Sequence, residues 1–214
     1  MTTINGGSGT DSVTFRNVAG NIAGGTMINI EDVIVDIGAD ISINGTVEAN
    51  VAVNSGGQIS AGSSPGLLSV VGNLDLGVDS TTLVELGGLI GGVNYDRIDV
   101  TDAPGTGSIE GIASLAAGAI FDIDFFGGFV AGLGDSFDIV VADDIVGDIN
   151  TLVFDFSDAA LGLGLHWETT IVSVDGGRDA LRIHAIPEPA PLAALLTGLL
   201  GFFGLKRQKS PAAV

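Results

Sequence analysis

The sequence predicts an all-β body, either a β-solenoid (β-helix-like) or a β-sandwich, followed by a single C-terminal hydrophobic transmembrane helix. Three observations predict it. Apolar residues alternate with polar ones in short segments separated by Gly-rich breaks, the period-2 signature of half-buried strands. Gly reaches 34 copies in 214 residues while Trp and Tyr occur once each, so Val, Ile, Leu and Ala must build the core in thin layers. An apolar run without charge lies near the end of the chain, between prolines and basic residues.

Residues 1–60 read as a Gly-rich β-repeat region. Gly6-Gly7-Ser8-Gly9-Thr10-Asp11-Ser12-Val13-Thr14 fits the calcium-binding nonapeptide of β-roll proteins, G-G-x-G-x-D-x-U-x. Asp11 would be the hard carboxylate ligand, and Val13 would point inward. A β-roll ion lies between successive turns, and no second copy follows. Asp11 is therefore half of a calcium site, and the same stretch also reads as a Gly-rich turn entering the first strand. Strands follow at Ile28 and Ile30, at Val33, Val35 and Ile37, at Ile41 and Ile43, and at Val47, Ala49, Val51 and Val53. The breaks at Gly38, Gly45 and Ser55-Gly56-Gly57 are turn chemistry. Such spacing suits stacked rungs or a sandwich.

Residues 61–186 repeat this grammar with longer strands around Leu67–Val71, Leu74–Leu76, Thr81–Leu86, Val100, Ile120–Phe125, Ser136–Val141, Phe154 and Ile183. The passage from Ser63-Ser64-Pro65-Gly66 through Val84-Glu85-Leu86-Gly87-Gly88 to Tyr95-Asp96-Arg97-Ile98-Asp99-Val100 resembles the passenger β-helix of autotransporter-type surface proteins. Gly134-Asp135-Ser136-Phe137 and Trp167-Glu168-Thr169-Thr170 fit the ends of such passengers. The resemblance implies an elongated β-rich body and no particular activity.

Residues 187–209 form a tripartite tail. Pro187-Glu188-Pro189 ends the β structure by removing backbone donors. About 16 uncharged residues follow, then Lys206, Arg207 and Lys209. As a helix the run would span about 24 Å, against a bilayer core of about 30 Å, and basic residues mark its cytoplasmic side. The order of parts is similar to the PEP-CTERM sorting domain of Gram-negative bacteria. That resemblance implies recognition by an exosortase, with Pro187, Glu188 and Pro189 as the sorting motif. It also implies anchoring in the inner membrane through the C-terminal helix, then delivery to the cell surface or an extracellular exopolysaccharide matrix. No basic n-region or apolar h-region follows Met1, so an exported chain is expected to be a fragment or to carry a misplaced start.

Charge narrows the function. The formal net charge is -19, from 26 acidic and 7 basic residues. Every acidic residue but Glu188 precedes Pro187, whereas Lys206, Arg207 and Lys209 lie in the tail. Such a body repels nucleic acid. Cysteine is absent, which removes disulfides, thiolate metal sites and cysteine nucleophiles. There is no G-x-S-x-G, H-E-x-x-H or P-loop. Asp122 and Asp124 share one strand face, and His166-Trp167-Glu168 with His184 offers no third metal ligand. The expectation is a non-catalytic, cofactor-free surface or matrix protein. The alternative is a polysaccharide- or calcium-binding adhesin-like module.

Overall fold

In the computed structural model, residues 3–62, 65–102 and 111–189 are described. The chain winds in coils whose strands stack in parallel. Strands β1 (Ile4–Asn5), β2 (Ser12–Phe15), β3 (Ala19–Ala23) and β4 (Met27–Ile28) open the winding. The next coils are β5 (Asp32–Val35) with β6 (Asp40–Val47), then β7 (Asn50–Val53), β8 (Gln58–Ala61) and β9 (Leu67–Val71). Then come β10 (Leu74–Leu76), β11 (Thr81–Leu86) and β12 (Arg97–Thr101), followed by β13 (Ile112–Leu115), β14 (Ile120–Phe125) and β15 (Ser136–Ala142). Strands β16 (Asp144–Val146) and β17 (Val153–Asp155) start a last coil, which ends in β18 (Leu165–Ser173) and β19 (Asp179–Pro187).

From β5 to β15 each coil adds one rung to each ladder. The first ladder runs β2-β5-β7-β10-β13-β16. Val33, Val51, Leu74, Ala113 and Ile145 stand in one inward file. The second, β3-β6-β8-β11-β14-β17, aligns Ile41, Ile59, Thr82, Phe121 and Phe154. The third starts from the second half of β6 and aligns Leu68, Ile98, Val140 and Leu181. The alternation read from sequence thus becomes files of like apolar residues, most of them fully buried. The parallel ladders run without a break across residue 60.

The corners between the first two ladders repeat as well. Gly38, Gly56, Asp79 and Gly118 all have positive φ, from 56° to 84°. Their backbones form one chain of hydrogen bonds along the stack. Gly38 N donates to Gly56 O (2.8 Å), Gly56 N to Asp79 O (2.9 Å), Asp79 N to Gly118 O (3.1 Å) and Gly118 N to Thr151 O (2.9 Å). A small residue follows each: Ala39, Gly57, Ser80 and Ala119. At Gly57 a Cβ would stand 2.6 Å from Val35 O, so the neighbouring coil itself demands glycine.

The C-terminal end is closed by aromatics and by an antiparallel hairpin. Phe121, Phe154, Phe156 and Trp167 stack in series with centroid spacings of 5.3, 6.0 and 5.3 Å. Strand β19 pairs antiparallel with β15 and with β18, which ends the parallel winding.

The expectation of a membrane-crossing helix is corrected. The described residues contain only 3₁₀ turns at Gly24–Thr26, Ile149–Thr151 and Asp175–Gly177, and none of their helices is long and apolar enough to cross a membrane. The physical reason is the period: apolar side chains alternate every second residue up to β19, which suits only extended backbone. Residues 190–206, on which the expected helix falls, lie outside the described residues. The fold is all-β.

Corner packing makes a sharp mutational contrast. Gly57→Ala should destabilise the fold by about 1–3 kcal/mol through the clash with the Val35 carbonyl. Gly20→Ala in β3, where a Cβ meets nothing within 4 Å, should be neutral or stabilising by a few tenths of a kcal/mol. Urea unfolding midpoints measure both. Equal midpoints would contradict the corner argument.

Candidate functional site

Pro187-Glu188-Pro189, the expected sorting motif, lies at the end of β19. Nine residues of β18 pair with nine of β19, ending at Leu165 opposite Pro187. Pro187 has no N–H to offer the ladder, and pairing stops there. One further hydrogen bond, from Glu188 N to Gly164 O (2.8 Å), holds the chain extended. Pro187, Glu188 and Pro189 are all exposed. Lys206, Arg207 and Lys209 lie outside the described residues.

The hairpin splits His166-Trp167-Glu168 between its faces. Trp167 turns into the aromatic cap, 6.0 Å from Phe137 and 6.2 Å from Phe125, and its Nε1 donates to Ala159 O (2.9 Å). Its role is packing. Glu168 stands opposite His184, with Oε2 3.4 Å from Nδ1. Among the described residues, no three His, Cys, Asp or Glu side chains converge on a metal position.

Asp11 sits at the turn before β2. Gly7 and Gly9 supply positive φ there, and Val13 packs against the core. Asp11 N donates to Glu31 Oε2 (2.6 Å), and Asp11 O accepts from Glu31 N (3.0 Å) and Asp32 N (3.3 Å). Its Oδ2 is buried without a hydrogen-bond partner. Glu31 comes from the next coil, so the second acidic group beside Asp11 is not a second nonapeptide.

Asp96 stands out from the other carboxylates. Only 2% of its surface is exposed. Its Oδ1 accepts from Gly66 N (2.6 Å) and its Oδ2 from Glu85 N (3.0 Å), so it pins two neighbouring segments to β12. Burial pushes its pKa up to about 7, against the two N–H donors that favour the charged form. Sequence reading passed over this residue. The available signal was parity: Asp96 shares the inward phase of Ile98 and Val100.

Asp122 and Asp124 do lie on the outer face of β14, and both pKa values are raised, first by burial. Asp155 and Asp158 then add repulsion at Asp122, and Asp122 and Asp158 at Asp124. Basic groups are engaged elsewhere. Arg16 pairs with Asp36, Arg97 with Asp99 (2.7 Å), Arg178 with Asp143 (3.1 Å) and Arg182 with Asp138 (2.6 Å). No protein-family model matches the chain, and no curated protein matches it.

Asp96 makes stability pH-dependent with a definite sign. Its folded pKa lies above the ordinary value of 3.8, so the fold binds the proton more tightly than the unfolded chain. That stabilisation is complete below pH 3.8 and lost as pH rises to about 7, a change of about 4 kcal/mol. Urea midpoints should fall across this window, and Asp96→Asn should flatten the fall. Parallel curves for the two proteins would contradict the assignment. For Asp11, isothermal titration should show no calcium-selective site, and Asp11→Ala should leave the trace unchanged. A tight site abolished by that substitution is the opposing result.

Proposed function

We propose that the chain is an exported, non-catalytic surface or matrix protein sorted through Pro187-Glu188-Pro189 by an exosortase. The observation that carries this reading is the position of the motif. It is exposed and extended at the end of β19, so a membrane protease can reach it at the edge of the body. The uncharged run and the basic cluster follow it directly in sequence, which is the order the resemblance requires. The body's chemistry agrees with a passive cargo. Every described arginine is ion-paired, so the described surface presents no unpaired arginine to a nucleic-acid backbone.

One feature favours a polysaccharide-binding, adhesin-like role as a second reading. An open groove of about 590 Å³ lies between the first coils, lined in part by Asn29, Glu31, Thr46, Glu48 and Asn50. Such amide, hydroxyl and carboxylate groups match the hydrogen-bonding of sugar hydroxyls. Glycan-array binding that is lost in a Glu48→Ala, Asn50→Ala double variant would favour it.

Sorting is tested in a host that carries an exosortase, with the chain expressed behind a working signal peptide. The wild type should be shortened near residue 189 and reach the surface. The triple change Pro187→Ala, Glu188→Ala, Pro189→Ala should leave the full-length form in the membrane fraction. Equal shortening and release of both forms would sink the sorting reading.

A further inference from the structure

Two loops that reach the end of β19 carry exposed apolar residues. The loop between β14 and β15 carries Phe126, Val130 and Leu133, and the loop between β17 and β18 carries Leu163. Leu133 is 65% exposed and Leu163 fully so. Hydrogen bonds set both loops against the end of β19. Gly134 N donates to Ala185 O (2.9 Å), Ala185 N donates to Asp135 O (2.9 Å), and Glu188 N donates to Gly164 O (2.8 Å). Leu133 and Leu163 therefore flank the last residues of β19 on its two sides. The loop between β11 and β12, with exposed Leu89 and Ile90, adjoins them: a Cβ on Gly87 would stand 3.3 Å from Phe126 Cδ1. Single exposed leucines need no explanation, but neighbouring loops that all present apolar side chains do.

The sequence that leaves this corner is itself apolar. Residues 190–205 contain no charge, and Thr197 is their one hydroxyl or amide side chain. We propose that the apolar corner of Phe126, Val130, Leu133 and Leu163 is the docking surface for the chain's own segment 190–205. The segment follows Pro189 directly in sequence, and the two leucines flank the end of β19 that precedes it. Its attachment gives an effective concentration that a separate molecule lacks, and it loses no translational freedom on docking. Apolar side chains on the two surfaces that would each face water bury one another. The inference goes beyond the sorting reading and does not need it, since the contact forms in a chain that no exosortase processes. Removal of residues beyond 189 bares the corner.

The chain has no cysteine, so an installed pair reports alone. Full-length chains carrying Leu163→Cys with Leu196→Cys, or Leu133→Cys with Leu196→Cys, are oxidised with copper-phenanthroline in detergent-free buffer. The comparison pair is Val78→Cys with Leu196→Cys, since exposed Val78 lies in the corner between β10 and β11. Intramolecular disulfide should form at least ten-fold faster in the first two pairs. A chain ending at Pro189 should bind anilinonaphthalene sulfonate several-fold more strongly than the full chain. Rates equal to the Val78 pair, a covalent dimer as main product, or equal dye binding would each overturn the proposal. The sorting reading fails on a different result, unaltered processing of the motif variant.

Discussion

The structure rests on the stacking of one corner upon the next. Gly38, Gly56, Asp79 and Gly118 turn the chain with left-handed backbone, and each donates its N–H to the corner of the following coil. This chain of bonds fixes the phase of every coil. Once phase is fixed, each inward residue meets its counterpart above and below, and the files of Val, Ile and Leu follow. A slip of one residue would turn every apolar side chain outward. The small residue after each corner is part of the same constraint. Its backbone N–H folds back on the residue three before it, as Ala39 does to Asp36 O (2.9 Å) and Gly57 to Asn54 O (2.9 Å).

A stack of this kind must end somewhere, and each end leaves an open core. At the C-terminal end, bulk replaces repetition. The aromatic series from Phe121 to Trp167 fills the interior, and β19 reverses direction to cover the edge of β15. Repeat proteins need atypical terminal units for this reason. Arg178 and Arg182 fasten the cap. Arg182 meets Asp138 through both nitrogens (2.6 and 2.9 Å), and Arg178 reaches the carbonyls of Val100 and Val141 (2.8 and 3.1 Å). Pro187-Glu188-Pro189 falls at the exposed end of β19, a position set by how the stack is closed.

Much of the body was legible in the sequence, because alternation is a local property. Val33, Val35, Ile41, Ile43, Val51 and Val53 are inward, as their spacing requires. The repeat region was legible too, and its unit is finer than the spacing of turns shows. Apolar-x-apolar, two residues, a Gly or Asp, a small residue, and then a further inward position recur from Val33, Val51, Leu74 and Ala113. Insertions between β11 and β12, and between β14 and β15, break its period and hide it from a search for even spacing. Asp96 was missed because a carboxylate is read as solvated by default, although its parity placed it inward. The antiparallel cap could not be read at all. Strands β18 and β19 alternate like the rest, and only the tertiary closure of the stack decides their direction.

Charge is distributed so that this winding tolerates a net charge of -19. Parallel in-register stacking places outward residues of successive coils side by side, so like charges would stack upon one another. In the early coils two carboxylates have an amide beside them instead. Asn50 Nδ2 donates to Asp32 Oδ1 (3.2 Å), and Gln58 Nε2 donates to Asp40 Oδ1 (3.1 Å). In the later coils carboxylates stand together: Asp122 beside Asp155, and Glu85 beside Asp124. Repulsion there adds to burial in raising the pKa values of Asp122 and Asp124. The same coils hold three of the four described arginines, and each is committed to an aspartate of the third ladder or its edge. Cations thus relieve the third ladder and leave the second to repel itself. Protonation has the same sign at Asp96, Asp122 and Asp124, all in coils near the aromatic cap. Mild acid therefore tightens the end of the body that carries the aromatic cap.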